Sequence, residues 1–206
     1  MTSSEERASM TLAINRPMTL EEYLHYDDGT DTRYELVDGV LVEMGAENPQ
    51  NINIAMFLIV MFAQVTLIQH IHRGTEIVLP SSQAKIRYPD LLILSEPGAM
   101  ALLGKSRSLI TLDMPAPVLA VEVVSPGNKG TENHDRDYIE KRREYALRSI
   151  PEYWIIDPAR QVVLVLTLVG KTYQEQRFTG EMTIISPTFP QLQVTAEQIL
   201  SAGKTN

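Results

Sequence analysis

The amino-acid sequence predicts an α/β protein, a mixed β-sheet flanked by helices with hairpins at both ends. Three features predict it. Strand-like and helix-like segments alternate through the middle of the chain, Asp38-Gly39 sits between alternating residues near its start, and β-rich runs close it between Val162 and Ile185. The 206 residues suit one domain, expected over 17–200, between a polar tail over 1–16 expected to be disordered and a flexible C-terminus over 201–206.

The elements follow in order. Thr19 with Glu22 has the spacing of a capping box, which predicts a short helix to about Tyr26. Residues 33–37 and 40–44 alternate around Asp38-Gly39, the pair best suited to the positive φ angles of a tight hairpin turn. Asn48 before Pro49 reads as an N-cap followed by proline at the first helical position, opening a long apolar helix to near His72. Strands are expected over 76–79, 83–87 and 91–95, then a loop with Gly98, Gly104, Lys105 and Arg107 and at most a helical turn. The apolar run 117–124, bounded by prolines, predicts a buried central strand. A charged helix is expected over 133–148, a strand over 153–156, and an antiparallel meander over 162–168, 172–178 and 182–185. Thr195 with Gln198 caps a short last helix.

Composition narrows the classes of function. The absence of cysteine excludes disulfides and thiolate metal sites. The N-terminus lacks a basic stretch followed by an apolar one, so no signal peptide is expected. The most apolar stretch, Ile52 to Ile71, carries Asn53, Gln64, Thr66, Gln69 and His70, whereas a bilayer span needs ~20 mostly apolar residues. A cytoplasmic protein with no membrane partner is expected. A net charge of −8 excludes indiscriminate coating of nucleic acid and requires any contact with phosphate to be local.

Chemistry enters with Glu122, inside Val118-Leu119-Ala120-Val121-Glu122-Val123-Val124. Alternation puts it on one strand face with Ala120 and Val124, and a buried carboxylate must be protonated, paired or bound to a cation. A structural ion pair is the ordinary explanation and carries about equal weight. Asp90 follows Pro89 at the mouth of an apolar strand, which alone is an ordinary loop boundary. Its interest comes from Glu122: two strand-borne carboxylates converging at a sheet end suit a hard cation such as Mg²⁺ or Mn²⁺. On the following helix, Tyr138, Tyr145 and Ala146 share a face, with Lys141 at its border and Arg142 nearer its centre. Periodicity does not choose between the two cations, and a solvated helix face explains both. Residues 129–148 hold six basic and five acidic residues, so the helix is not a basic stripe. His25, His70, His72 and His134 lack metal-ligand spacing, Gly127-Asn128-Lys129-Gly130 is a polar turn and not a phosphate loop, and Ser125 lacks a nucleophile elbow.

The words Arg33-Tyr34-Glu35-Leu36-Val37-Asp38-Gly39, Pro89-Asp90-Leu91 and Val121-Glu122-Val123-Val124-Ser125-Pro126 occur in that order. They are followed by Asp137, Lys141 and Tyr145 at four-residue steps, by Ile150-Pro151-Glu152-Tyr153-Trp154-Ile155-Ile156-Asp157-Pro158, and by Phe189-Pro190-Gln191-Leu192. Together, over about residues 18–200, they resemble the Uma-two family of restriction endonucleases. The resemblance implies a restriction-endonuclease-like PD-(D/E)xK fold with Asp90 as the first acid and Glu122 as the second. Where the usual motif has its lysine this chain has Val124, and the resemblance implies that the amine comes from the next helix, at Lys141. Glu35 matches a family acid near the site. The chain departs from the family at Asn51, where a histidine is frequent, and at Ser149, where a glycine is usual.

The activity expected from this is metal-dependent hydrolysis of phosphodiester bonds in nucleic acid, DNA above all. Asp90, Glu122 and the backbone carbonyl of Val123 are expected to hold Mg²⁺ or Mn²⁺, and a homodimer suits the cutting of two strands. The alternative is a non-catalytic domain that keeps the fold and binds nucleic acid or protein, which Asn51 and the acidic charge favour. A hydrolase of small phosphates stands third.

Overall fold

In the computed structural model, which describes residues 16–125 and 135–202, α1 (Leu20–Leu24) precedes a hairpin of β1 (Tyr34–Val37) and β2 (Val40–Glu43). Helix α2 (Pro49–Phe62) leads through a 3₁₀ turn to β3 (Ile71–His72), β4 (Glu76–Val78), β5 (Ile86–Arg87) and β6 (Leu91–Ile93). Next come α3 (Glu96–Leu102), β7 (Leu109–Ile110) and β8 (Leu119–Val123), then a π-helical turn (Arg136–Glu140) that runs into α4 (Lys141–Leu147). Strands β9 (Glu152–Asp157), β10 (Val162–Val169) and β11 (Thr172–Phe178) and helix α5 (Ala196–Leu200) follow.

The strands divide between two sheets, ordered β2-β1-β5-β4-β7 and β11-β10-β9-β8-β6-β3. The sequence predicted a single sheet, and two breaks explain the difference. The chain leaves the second sheet between β3 and β4 at Gly74, whose φ is 81°, and re-enters it between β5 and β6 at Pro89, which has no N–H for a ladder. Both sheets are mixed: β8 runs parallel to β9 and antiparallel to β6, and β4 runs parallel to β7. Alternation along β8 separates two cores. Leu119, Val121 and Val123 pack with Ile54, Leu58 and Phe62 of α2 and Ile199 and Leu200 of α5. Ala120 and Val124 pack with Tyr145 of α4 and with Ile77 and Ile110 of the first sheet. The second sheet is therefore covered on both faces, and every residue of β8 is buried.

Local signals act as their chemistry predicts. Thr19 accepts from Glu22 N while Glu22 accepts from Thr19 N, and Thr195 and Gln198 repeat the arrangement. Asn48 caps α2. Asp38 and Gly39 have φ of 50° and 80°, the two positive values of a type I′ hairpin turn.

Other expectations are corrected. Helix α2 ends at Phe62, not near His72, because Ile71 and His72 pair with Ile93 and Leu92 and extend the sheet. The loop after β6 holds α3, capped by Ser95, and β7, which pairs with β4. Met182 to Ile185 forms no third meander strand. Only a lone bridge between Thr183 and Thr195 forms, as Pro187 and Pro190 break up the segment between them. The tail over 1–16 (Arg16 apart), the turn at Gly127–Gly130, His134, the expected helix start at Asn133, and residues 203–206 lie outside the described residues.

Helix α4 ends in a Schellman motif. Ser149 N donates to Ala146 O at 3.0 Å and Ile150 N to Tyr145 O at 3.1 Å, with Ser149 at φ 62°. A left-handed residue with a Cβ costs roughly 1–2 kcal/mol. Ser149→Gly is therefore expected to stabilise the fold by about 1 kcal/mol, raising the thermal midpoint by several degrees in a calorimetric scan. An unchanged or lowered midpoint would contradict this account of the helix end.

Candidate functional site

Antiparallel pairing sets Leu91 opposite Val121, so one step beyond the ladder Asp90 lies opposite Glu122. Asp90 Oδ2 accepts from Val123 N at 2.7 Å, which ties the first acid to the strand that bears the second. Glu122 points with Ala120 and Val124 toward α4, the helix that crosses over from β8 to its parallel neighbour β9. There the Lys141 ammonium stands 2.8 Å from Glu122 Oε2, and the Tyr145 hydroxyl donates to Glu122 Oε1 at 2.5 Å. Lys141 also lies 3.4 Å from Asp137 and 3.6 Å from Glu35, which reaches in from β1 of the other sheet. All four residues expected from the sequence, Asp90, Glu122, Lys141 and Glu35, line one cleft of about 420 Å³ where the two sheets meet.

The helix face differs from its expected one. The Lys141 N–H reaches back five residues to Arg136 O, so the turn is π-helical and wider than the regular wheel assumes. Asp137, Lys141 and Tyr145 become the buried stripe, with 1%, 3% and 0% of their surface exposed. Arg142 turns away and bonds Glu175 Oε2 at 2.8 Å and Tyr173 O at 3.1 Å.

Burial sets the electrostatics. It pushes the Glu122 carboxyl up to about 8, and the nearby Lys141 only partly offsets the lost hydration. It likewise raises Asp90 to about 6 against the Val123 N–H and Lys141. Burial also opposes the charged form of Glu35, but Lys141, Arg87 and the Tyr88 N–H outweigh it and hold this acid at about 2. Lys141 is raised because its carboxylate neighbours overcome its own desolvation.

Sequence reasoning missed several members of this cluster. Arg87, 1% exposed, bonds Glu35 at 2.9 Å, Glu144 at 2.8 Å and Glu140 at 3.0 Å. Its signal was faint: a basic residue two positions from Lys85 on an alternating strand. Asp137 and Tyr145 had a clearer one, their four-residue steps from Lys141. Asn51, noted only as a departure, is buried and donates its amide to the Val123 carbonyl at 3.0 Å.

The cation donors on offer are two carboxylates and the Val123 carbonyl. Among the described residues no group of three or more His, Asp or Glu side chains is arranged to hold a metal. The described histidines bond elsewhere, His25 to Glu21 O, His70 to Thr66 and His72 to Gln69 O. No helix among the described residues is long and apolar enough to cross a membrane.

A family model described as Uma2, "Putative restriction endonuclease", matches residues 20–197. Among solved structures, a crystal structure described as a "putative nuclease belonging to DUF820" from Anabaena variabilis is similar at a TM-score of 0.68 and 15% identity. The match covers 90% of this chain and 98% of that one. It is a likeness of fold and agrees with a restriction-endonuclease-like architecture. No curated protein matches the chain.

The raised Glu122 has a consequence for stability. The folded chain holds this proton to about pH 8 and the unfolded chain releases it near 4.5, so the stability it confers is complete below 4.5 and lost as the pH rises toward 8. Glu122→Gln, which keeps the shape and cannot ionise, is expected to flatten the decline of the thermal midpoint across that window in metal-free buffer. Parallel midpoint-against-pH curves for the two proteins would refute the assignment.

Proposed function

As the chain belongs to the Uma2 family, described as putative restriction endonucleases, we propose that it is a metal-dependent endonuclease that hydrolyses phosphodiester bonds of DNA. One observation carries the reading: Asp90 and Glu122 sit on facing strands in an open cleft, with the Lys141 ammonium 2.8 Å from the second acid.

The donor set fits a hard cation. A carboxylate offers about four acceptor positions. Glu122 spends one on Tyr145 and one on Lys141, and Asp90 spends one on Val123 N. The Val123 carbonyl keeps a lone pair beside the one used by Asn51. Asp90, Glu122 and this carbonyl are therefore the residues that would hold Mg²⁺ or Mn²⁺, the ion displacing the proton that burial leaves on Glu122. Such an ion, when bound, polarises the phosphate and lowers the pKa of a water.

The chain's own residues do the rest. Lys141 presents a fixed positive charge to the phosphate oxygens on which negative charge builds during displacement. Glu35 and Asp137 hold the ammonium in place and keep it protonated. Tyr145 fixes the Glu122 carboxylate, and the Val123 N–H fixes that of Asp90. Cutting both strands of a duplex asks for two such sites, hence a two-fold dimer.

The alternative, a non-catalytic domain that binds nucleic acid or protein, draws on Asn51, whose amide occupies part of the Val123 carbonyl, and on the net charge of −8. Calorimetric titration separates the two readings, since a catalytic site binds Mg²⁺ or Mn²⁺ at millimolar concentration or below. Asp90→Ala and Glu122→Ala are expected to abolish both that binding and metal-dependent cleavage of plasmid DNA. Lys141→Ala is expected to keep the metal, to lose on the order of 10²–10³-fold in rate, and to lower the thermal midpoint because it strands Glu35 and Asp137. Wild-type cleavage by both acid variants would sink the site assignment, and no metal binding by the native chain would favour the non-catalytic domain.

A further inference from the structure

Beside the acid pair, the surface holds a cation that has no carboxylate partner among the described residues. A second cleft, of about 350 Å³, runs from Asp90 past Tyr88 to Arg33 and shares Tyr88, Asp90 and the Glu43–Glu47 wall with the cleft of Glu122 and Lys141. Arginines line these clefts and the adjoining one, and most are already neutralised. Arg73 is paired with Glu47, Arg107 with Glu76 at 2.6 Å, and Arg136 with Asp137 at 3.1 Å. Arg33 forms no ion pair among the described residues, although Asp31 and Glu43 line the same cleft. Its guanidinium lies over the Tyr88 ring, 5.4 Å from the centroid.

That ring is a built platform. Tyr88 N donates to Glu35 Oε1 at 3.0 Å, so the same acid that steadies Lys141 steadies the tyrosine. The Tyr88 hydroxyl stands over Gly74, where a Cβ would come within 3.1 Å and φ is +81°, so a side chain there is disfavoured twice over. No hydrogen bond or ion pair among the described residues takes the Arg33 N–H groups, so the fork held over the ring is free for a bidentate acceptor. A guanidinium paired with a carboxylate has spent that fork. In an acidic chain, a held, unspent fork next to the proposed cleavage site is the local contact that phosphate requires.

We propose that Arg33, held over the Tyr88 ring, binds a backbone phosphate of the nucleic-acid strand adjacent to the phosphate at Asp90 and Glu122. The inference rests on the endonuclease reading and adds where the flanking strand lies, along the second cleft. The acceptor is a polymer phosphate, because the two clefts share Tyr88, Asp90 and the Glu43–Glu47 wall, and Arg33 lines only the one without Lys141.

The test is fluorescence anisotropy of a labelled DNA duplex and a labelled single strand, with Ca²⁺ replacing Mg²⁺ and gels showing that the strands stay whole. Arg33→Gln, at an exposed position, is expected to weaken binding by about tenfold, the scale of one charged hydrogen-bonding contact. The slope of log affinity against log salt is expected to shrink by roughly 0.9 for duplex or 0.7 for single strand, one phosphate contact. Arg33→Lys is expected to keep the slope and recover part of the affinity, which a merely structural role would not predict. Unchanged affinity and slope in Arg33→Gln, with the native chain binding DNA, overturn this inference and leave the endonuclease reading standing. Competition by inorganic phosphate or a mononucleotide as strong as that by the oligonucleotide overturns the strand assignment. Failure of the native chain to bind either DNA overturns both readings together.

Discussion

Where the two sheets meet, one buried ammonium ties a strand of each to the helix between them. Lys141 sits on the crossover helix, Glu122 on the second sheet and Glu35 on the first, and the three meet with Asp137 where almost no water reaches. Charges in such a place are tolerated only when each is paired, since removing one partner strands another at a cost of about 3–5 kcal/mol. The cluster therefore does more than join three elements. It admits few alternative packings of the helix, because a slip by one residue would exchange Lys141 for Glu140 or Arg142 among the same carboxylates.

Arg87 extends this constraint outward. Its guanidinium is shared by Glu35 on the same sheet and by Glu140 and Glu144 on the helix side, and Lys85 brings a second cation to Glu144 at 2.8 Å. Acids and bases alternate from Lys85 inward to Glu122, so each charge along this run has a neighbour of opposite sign. Such a chain is poor evidence for extra stability, because an apolar repacking of equal volume often serves as well. It is better evidence that geometry is being specified. At the inner end burial strips water from Glu122, and with Asp90 and Asp137 nearby it holds its proton to about 8.

What the sequence revealed and what it concealed divide along the range of the interactions. Asp38-Gly39, Thr19, Asn48 and Thr195 act within four residues, and their turns and caps were legible for that reason. The face of Glu122 was legible too, because alternation along a strand is local, and an acid in an apolar run is conspicuous. The position of Asp90 opposite Glu122 was not, since it depends on the register between β6 and β8, which no single strand encodes. The place of Glu35 came only from the family resemblance, since its approach from β1 depends on the chain forming two sheets. The choice between Lys141 and Arg142 defeated the helical wheel for a different reason. A π-helical turn changes the angular step that the wheel takes as fixed, and nothing in Arg136-Asp137-Tyr138-Ile139-Glu140 announces it. The overlong α2 failed by the same logic, as an apolar run reads alike whether it coils or pairs with β6.

The breaks that divide the sheet also make the cleft. Between β5 and β6 the chain passes from one sheet to the other through Tyr88-Pro89-Asp90. Proline ends the ladder because it has no N–H, and a strand that stops there leaves the next side chain at an opening instead of in a core. That side chain is Asp90. The residue before the proline is Tyr88, whose ring walls both clefts and whose N–H is taken by Glu35. On the neighbouring connection, Gly74 turns the chain the other way and leaves room for the Tyr88 hydroxyl. A continuous sheet through these residues would have buried Asp90 beside Leu91 and closed the approach to Glu122. The acid pair is reachable because the sheet is interrupted at this point, and its geometry is fixed because the interruption is only three residues long.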